Sequence, residues 1–131
     1  MRRLIASACL AAVAAVASAQ VPRLRVDLGC QPAEASLTFL CTVTLTDAAG
    51  RPVDGVEVAL SADMPSMPMA HNISPVKAQP VAGRPGSYQG RLMLEMLGEW
   101  AVKLRVETPH PEIVVRKLDF QKDKVSPTRP R

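Results

Sequence analysis

Along most of this chain, hydrophobic and polar residues alternate with a period of two. That period is typical of β-strands with one buried face, whereas the residues of one helix face recur about every 3.6 positions. After residue 19 the sequence has no segment with helical periodicity. Seven segments are predicted as strands, near residues 24–30, 38–46, 56–60, 73–77, 88–96, 100–106 and 113–120, and the pattern at 73–77 is short and weak, as at a sheet edge. We therefore predict seven short strands and no helix in the folded part.

Turn-forming residues separate these segments, as at 47–52 and 83–86. Seven closely spaced strands predict an all-β fold, an immunoglobulin-like antiparallel β-sandwich of about seven strands. If the strands run up and down, alternate loops lie at the same end of the sandwich. We therefore expect the 62–72 segment to lie near 31–36 and 95–98. His110 is expected at the opposite end.

The first 19 residues have the pattern of a secretory signal peptide. Arg2 and Arg3 precede an apolar, alanine-rich run, and Ala-Ser-Ala at 17–19 matches an A-x-A cleavage site. An uncleaved N-terminal helix is the alternative, but the run is short for a membrane span. No second apolar run of spanning length follows. We expect a periplasmic or secreted protein that begins at Gln20 and has no membrane span after cleavage.

The remainder has the size of one small domain, at 20–121, followed by a flexible basic tail at 122–131. Without Arg2 and Arg3, the 16 basic residues fall to 14 against 12 acidic ones, a net charge of +2. The chain has only four aromatic residues and no basic stripe. We therefore expect no nucleic-acid partner.

After residue 19 the sequence contains two cysteines, Cys30 and Cys41. An even pair in an exported protein suggests a disulfide, and both cysteines fall on the apolar parity of their strands. In the chain-entropy model such a loop stabilises the fold by about 3 kcal/mol. A thiolate pair that binds metal is the alternative, although the spacing is too long for a CxxC site.

The segment 62–72 carries most of the candidate chemistry. It places three methionines and a histidine within eight positions, Met64, Met67, Met69 and His71. Thioether sulfur is a soft ligand that favours Cu(I), and imidazole also binds copper. Two prolines keep the segment out of a regular helix or a central strand. If the segment is extended, alternate residues share a side, so Met67, Met69 and His71 can converge.

Met96 is a further candidate ligand, because the predicted topology places it at the same end on an inward parity. Met93 has the opposite parity and is expected at the surface. Packing is the competing explanation for all of these methionines, since methionine fills irregular gaps in cores. His71 can likewise serve only to bond backbone groups after the turn.

Catalysis has little support in the sequence. Asp63 and His71 are a candidate acid/base pair, but Asp63 is also explained as a strand-end or turn residue. The HExxH, CxxC and phosphate-loop signatures are absent. We therefore expect a protein that is not an enzyme.

Three landmarks resemble the YtkA-like domain family and the related FixH-like proteins. They are the methionine/proline loop ADMPSMPMAHN at 62–72, PGSY at 85–88 and MLGEW at 96–100. They occur in the order seen in that group, and the resemblance spans about residues 40–107.

The resemblance implies an immunoglobulin-like sandwich that is exported or held at the membrane face, with a role in copper handling or respiratory oxidase assembly. It points to Met64, Met67, Met69 and His71 as Cu(I) ligands, with Met96 as an addition. FixH-like proteins carry a membrane segment, and this chain departs from them if its leader is cleaved. Three functions follow as hypotheses. The first is a Cu(I)-binding or delivery module, and the second is a protein-interaction module that presents the same loop to an efflux or oxidase partner. The third is a purely structural accessory domain with no ligand.

Overall fold

The computed structural model describes residues 23–107 and 111–129, and within them the protein is all-β. Period-two alternation produces this result, because each strand buries one face and leaves the other to solvent. The strands are β1 (Arg25–Pro32), β2 (Thr38–Thr46), β3 (Glu57–Asp63), β4 (Asn72–Pro80), β5 (Ser87–Met93), β6 (Gly98–Glu107), β7 (Glu112–Phe120) and β8 (Val125–Pro127).

All neighbouring strands pair in antiparallel fashion, in the order β1-β2-β5-β4-β3-β6-β7-β8. Strands β1, β2 and β5 form one layer, and β3, β6, β7 and β8 form the other. Strand β4 joins the layers, because it pairs with β3 along most of its length and with β5 at Gln79 and Pro80. The edge strands β1 and β8 approach each other, so the sheet is nearly closed. The predicted antiparallel sandwich is confirmed, with eight strands among the described residues.

The core lies between the layers, and most of its side chains lie on the apolar face of an alternating strand. Trp100 and Phe120 are fully buried, and Phe39 is 2% exposed. Phe39 of β2 and Phe120 of β7 meet edge to face, with ring centroids 4.8 Å apart and planes at 73°. Such aromatic pairs add to the stabilisation that comes from burial alone. The contact joins the two layers directly.

Strand β4 is longer than the predicted 73–77 segment. Its pairing with β3 shifts register, because Leu60 faces Val76 whereas Ala62 faces Ile73. One residue of β3 thus faces two of β4, one of which is Pro75. A proline has no N–H to donate to the ladder and is accommodated at such a bulge. The sequence underestimates this strand at its ends, because the missed residues are 72 and 78–80.

Residues 125–127 fall in the predicted flexible tail but form β8, which pairs with the end of β7. Phe120 faces Val125, and Val125 packs against the core. This burial corrects the predicted domain boundary at residue 121, because the folded part extends to Pro127. The tail residues 130–131, the predicted signal peptide and His110 lie outside the described residues.

Cys30 and Cys41 are directly opposite one another on β1 and β2. Their sulfur atoms are 2.05 Å apart and their Cα atoms 4.0 Å apart, so the predicted disulfide is confirmed. Cys41 is fully buried, as its parity predicts. The bond therefore joins the edge strand β1 to the interior of its layer.

The loops group at the ends of the sandwich as predicted. The backbone N–H of Leu94, after β5, donates to the carbonyl oxygen of Leu37, before β2. The β3–β4 loop contacts the β5–β6 loop through His71 and Glu95. The 62–72, 31–36 and 95–98 segments therefore share one end. Residues 23–107 and 111–129 contain no helix with the length and hydropathy needed to cross a membrane.

Candidate metal site

The segment between β3 and β4 is a compact loop of successive turns. The Met64 N–H donates to the carbonyl of His71 (3.0 Å), which closes the loop at its base. The Met67 N–H donates to the Met64 carbonyl (2.9 Å), and the Met67 carbonyl accepts from the N–H groups of Ala70 (3.1 Å) and His71 (3.0 Å). The segment is therefore not extended, so the convergence expected for an extended segment does not apply. Its two prolines lie in the turns, so they do keep the loop out of the sheet.

The period-two rule for strands does not apply to a loop made of turns, so it does not determine which methionines are buried and which are exposed. Met64 is only 5% exposed and belongs to the core. Its Cε atom lies 3.4 Å from the position that a Cβ on Gly98 would occupy. Met67 and Met69 are 41% and 94% exposed. The loop is thus fixed to the core by its first methionine and presents the other two to solvent.

Met96 lies in the neighbouring β5–β6 loop and not on a strand, because β5 ends at Met93. Its side chain is 39% exposed, so the predicted inward parity at this position is wrong. The buried Trp100 holds the loop in place, since its indole N–H donates to the Met96 carbonyl at 3.1 Å. Met93 is 69% exposed, in agreement with its predicted place at the surface.

His71 forms a side-chain contact that the sequence did not predict. Its Nδ1 atom hydrogen-bonds with the Oε2 atom of Glu95. The His71 side chain is 26% exposed and that of Glu95 is 52% exposed. The sequence contained a partial signal, because the expected loop grouping places 95–98 beside the methionine loop. Which side chain of that loop would reach the imidazole depends on the turns in both loops.

The donor set at this end of the sandwich is dominated by thioethers. Within the described ranges, no three histidine, cysteine, aspartate or glutamate side chains gather as a metal site. Asp63 pairs instead with Lys103, on the outer face of the sheet. A metal held here would therefore depend on methionine sulfur and the His71 imidazole, a soft set that suits Cu(I).

Comparison with known protein families agrees with the landmarks in the sequence. The YtkA-like family matches residues 19–105, which is more than half of the chain. None of the curated proteins and none of the solved structures compared with the chain matches it. The match includes the methionine loop, both of its flanking strands and the Trp100 segment. This protein therefore belongs to the YtkA-like family.

Proposed function

We propose that this protein is an exported, non-catalytic Cu(I)-binding module that carries copper in the periplasm and passes it to an acceptor. Its ligands are the thioethers of Met67, Met69 and Met96 together with the imidazole of His71. One observation carries the proposal: two loops joined by the His71–Glu95 contact present three exposed methionines and a partly exposed histidine at the same end of the sandwich.

Exposed methionines forgo the free energy that burial of their apolar surface would gain. A thioether that stays accessible can bind a soft metal, and Cu(I) accepts sulfur and imidazole ligands. Exposure also favours delivery, since an acceptor can approach the ion and replace one ligand at a time. Copper is then cargo rather than a resident cofactor.

We leave Met64 out of the ligand set, although the sequence suggested it. Its burial and its place beside Gly98 give it a packing role at the base of the loop. In this arrangement Met64 fixes the loop to the core, and the two later methionines remain free to bind.

Titration with Cu(I) under anaerobic conditions, in competition with a chromophoric Cu(I) chelator, tests the proposal on residues 20–131. We expect the wild type to bind copper and a variant with Met67, Met69 and Met96 replaced by leucine to bind at least about tenfold more weakly, or about 1.4 kcal/mol. Leucine keeps the apolar volume and removes the sulfur. Met93→Leu is the matched control, because Met93 is also exposed but lies on β5. Equal affinity in the triple variant would contradict the proposal.

The same exposure supports a second candidate, in which the methionine loops are a docking surface for a copper-handling, efflux or oxidase protein. Methionine-rich surfaces adapt to different partners, and exposed apolar patches often mark interaction sites. The triple leucine variant separates the two functions. It would keep partner binding if the surface acts by apolar contact alone, and it would lose copper binding if the sulfur atoms are ligands.

A further inference from the structure

In the contact between His71 and Glu95, the donor and the acceptor of the hydrogen bond can be assigned. An ionised carboxylate only accepts hydrogen bonds, so the Nδ1 atom of a neutral imidazole must carry the proton in this contact. The Nε2 atom then has a free lone pair. Among the described residues, Nδ1 is the ring atom of His71 for which a hydrogen bond is found.

Hydrogen bonds fix the backbone at or beside both residues of this contact. The N–H and the carbonyl of His71 are bonded within its own loop, to Met67 and Met64 respectively. Glu95 lies between Leu94, whose N–H donates to Leu37, and Met96, whose carbonyl accepts from the buried Trp100. The backbone on both sides of Glu95 is therefore fixed, so its carboxylate can orient the imidazole that it contacts.

We propose that Glu95 is a positioning residue that holds His71 as the Nδ1–H tautomer and presents Nε2 as the copper-binding atom. The inference deepens the proposed function and rests on it. Histidines that bind metals commonly donate their second ring N–H to a carboxylate, which fixes the ring and makes the ligating nitrogen more basic. A ring held in this way loses little further conformational freedom when it binds a metal.

The tautomer can be measured on metal-free protein, independently of any copper binding. We would record ¹⁵N–¹H correlations of the histidine rings at a pH where they are neutral, and assign His71 by its loss in His71→Gln. We expect protonated Nδ1 and unprotonated Nε2 in the wild type, and a shift towards the Nε2–H form in Glu95→Ala. A wild-type ring protonated at Nε2, or a ring unchanged in Glu95→Ala, would overturn the proposal.

Copper affinity provides the second readout. We expect Glu95→Ala to weaken Cu(I) binding by about 10- to 100-fold, the usual cost of losing such a supporting group. Glu99→Ala is the matched control, because it removes an exposed carboxylate at the start of β6. In a His71→Gln background, Glu95→Ala should cause no further loss, since the two residues act through one ring.

The outcomes distinguish this inference from the proposed function. Failure of the wild type to bind Cu(I) contradicts the proposed function, whereas the metal-free measurement still decides whether Glu95 sets the ring. Normal copper binding by Glu95→Ala, with the wild type also binding, contradicts the role of Glu95 and leaves the proposed function standing. Equal losses in Glu95→Ala and Glu99→Ala would also overturn it, because they would show a general effect of charge.

Discussion

His71 and Glu95 lie 24 residues apart in the chain and are joined side chain to side chain across two loops of the sandwich. The contact joins the methionine loop between β3 and β4 to the loop that carries Met96. Neither loop alone contains the proposed ligand set. The fold therefore assembles the candidate site by placing alternate connections at one end.

The packing role of Met64 predicts a split between stability and copper binding. Met64→Leu should cost less than about 1.5 kcal/mol, because it nearly conserves volume, while Met64→Ala should cost about 2–5 kcal/mol through the cavity it leaves. Urea unfolding measures both. Met64→Leu should also keep wild-type Cu(I) affinity, and a loss as large as that of Met67→Leu would show that the Met64 sulfur is a ligand.

The disulfide predicts a loss of stability without a loss of function. Replacing Cys30 and Cys41 together by alanine should lower the free energy of unfolding by about 3 kcal/mol, because a loop of this length no longer constrains the unfolded chain. Denaturant unfolding checks this value. Cu(I) affinity should be unchanged in the folded variant. Loss of copper binding on this substitution would instead favour the thiolate alternative.

We predict that a side chain cannot be accommodated at Gly86, which lies at the opposite end of the molecule. Its φ is +75°, and a Cβ there would lie 2.7 Å from the backbone oxygen of Leu45. Gly50 has a similar φ of +80° with open space around its Cβ position, so it is the matched control. Gly86→Ala should therefore be more destabilising than Gly50→Ala by about 1–3 kcal/mol, the usual range for overpacking. Thermal unfolding of both variants measures the difference, and equal losses would contradict the clash.

The strands and the core could be predicted because alternation is a local property of the sequence. Phe39 and Trp100 lie inward, as their parity requires, and the threonines of β2 alternate with its core residues. Strand β8 and the full length of β4 were missed. Each contains proline, and each is stabilised by pairing that only the assembled sheet provides.

The candidate site was only partly predictable. The shared end of the loops followed from topology, whereas the exposure of each methionine depends on turns that hydrogen bonds within the loop determine. Period-two reasoning fails at 64–71 for that reason, and it fails again at Met96 because β5 ends three residues earlier. Glu95 was missed because a carboxylate in a loop has no distinctive pattern until its partner is placed beside it.

The most direct test of the central claim is X-ray absorption spectroscopy of residues 20–131 loaded with Cu(I). We expect sulfur scatterers and an imidazole nitrogen as the nearest neighbours of the copper ion. Sulfur scattering should be lost when Met67, Met69 and Met96 are replaced by leucine and kept in Met93→Leu. A copper shell made only of nitrogen and oxygen, or a spectrum unchanged in the triple variant, would contradict it.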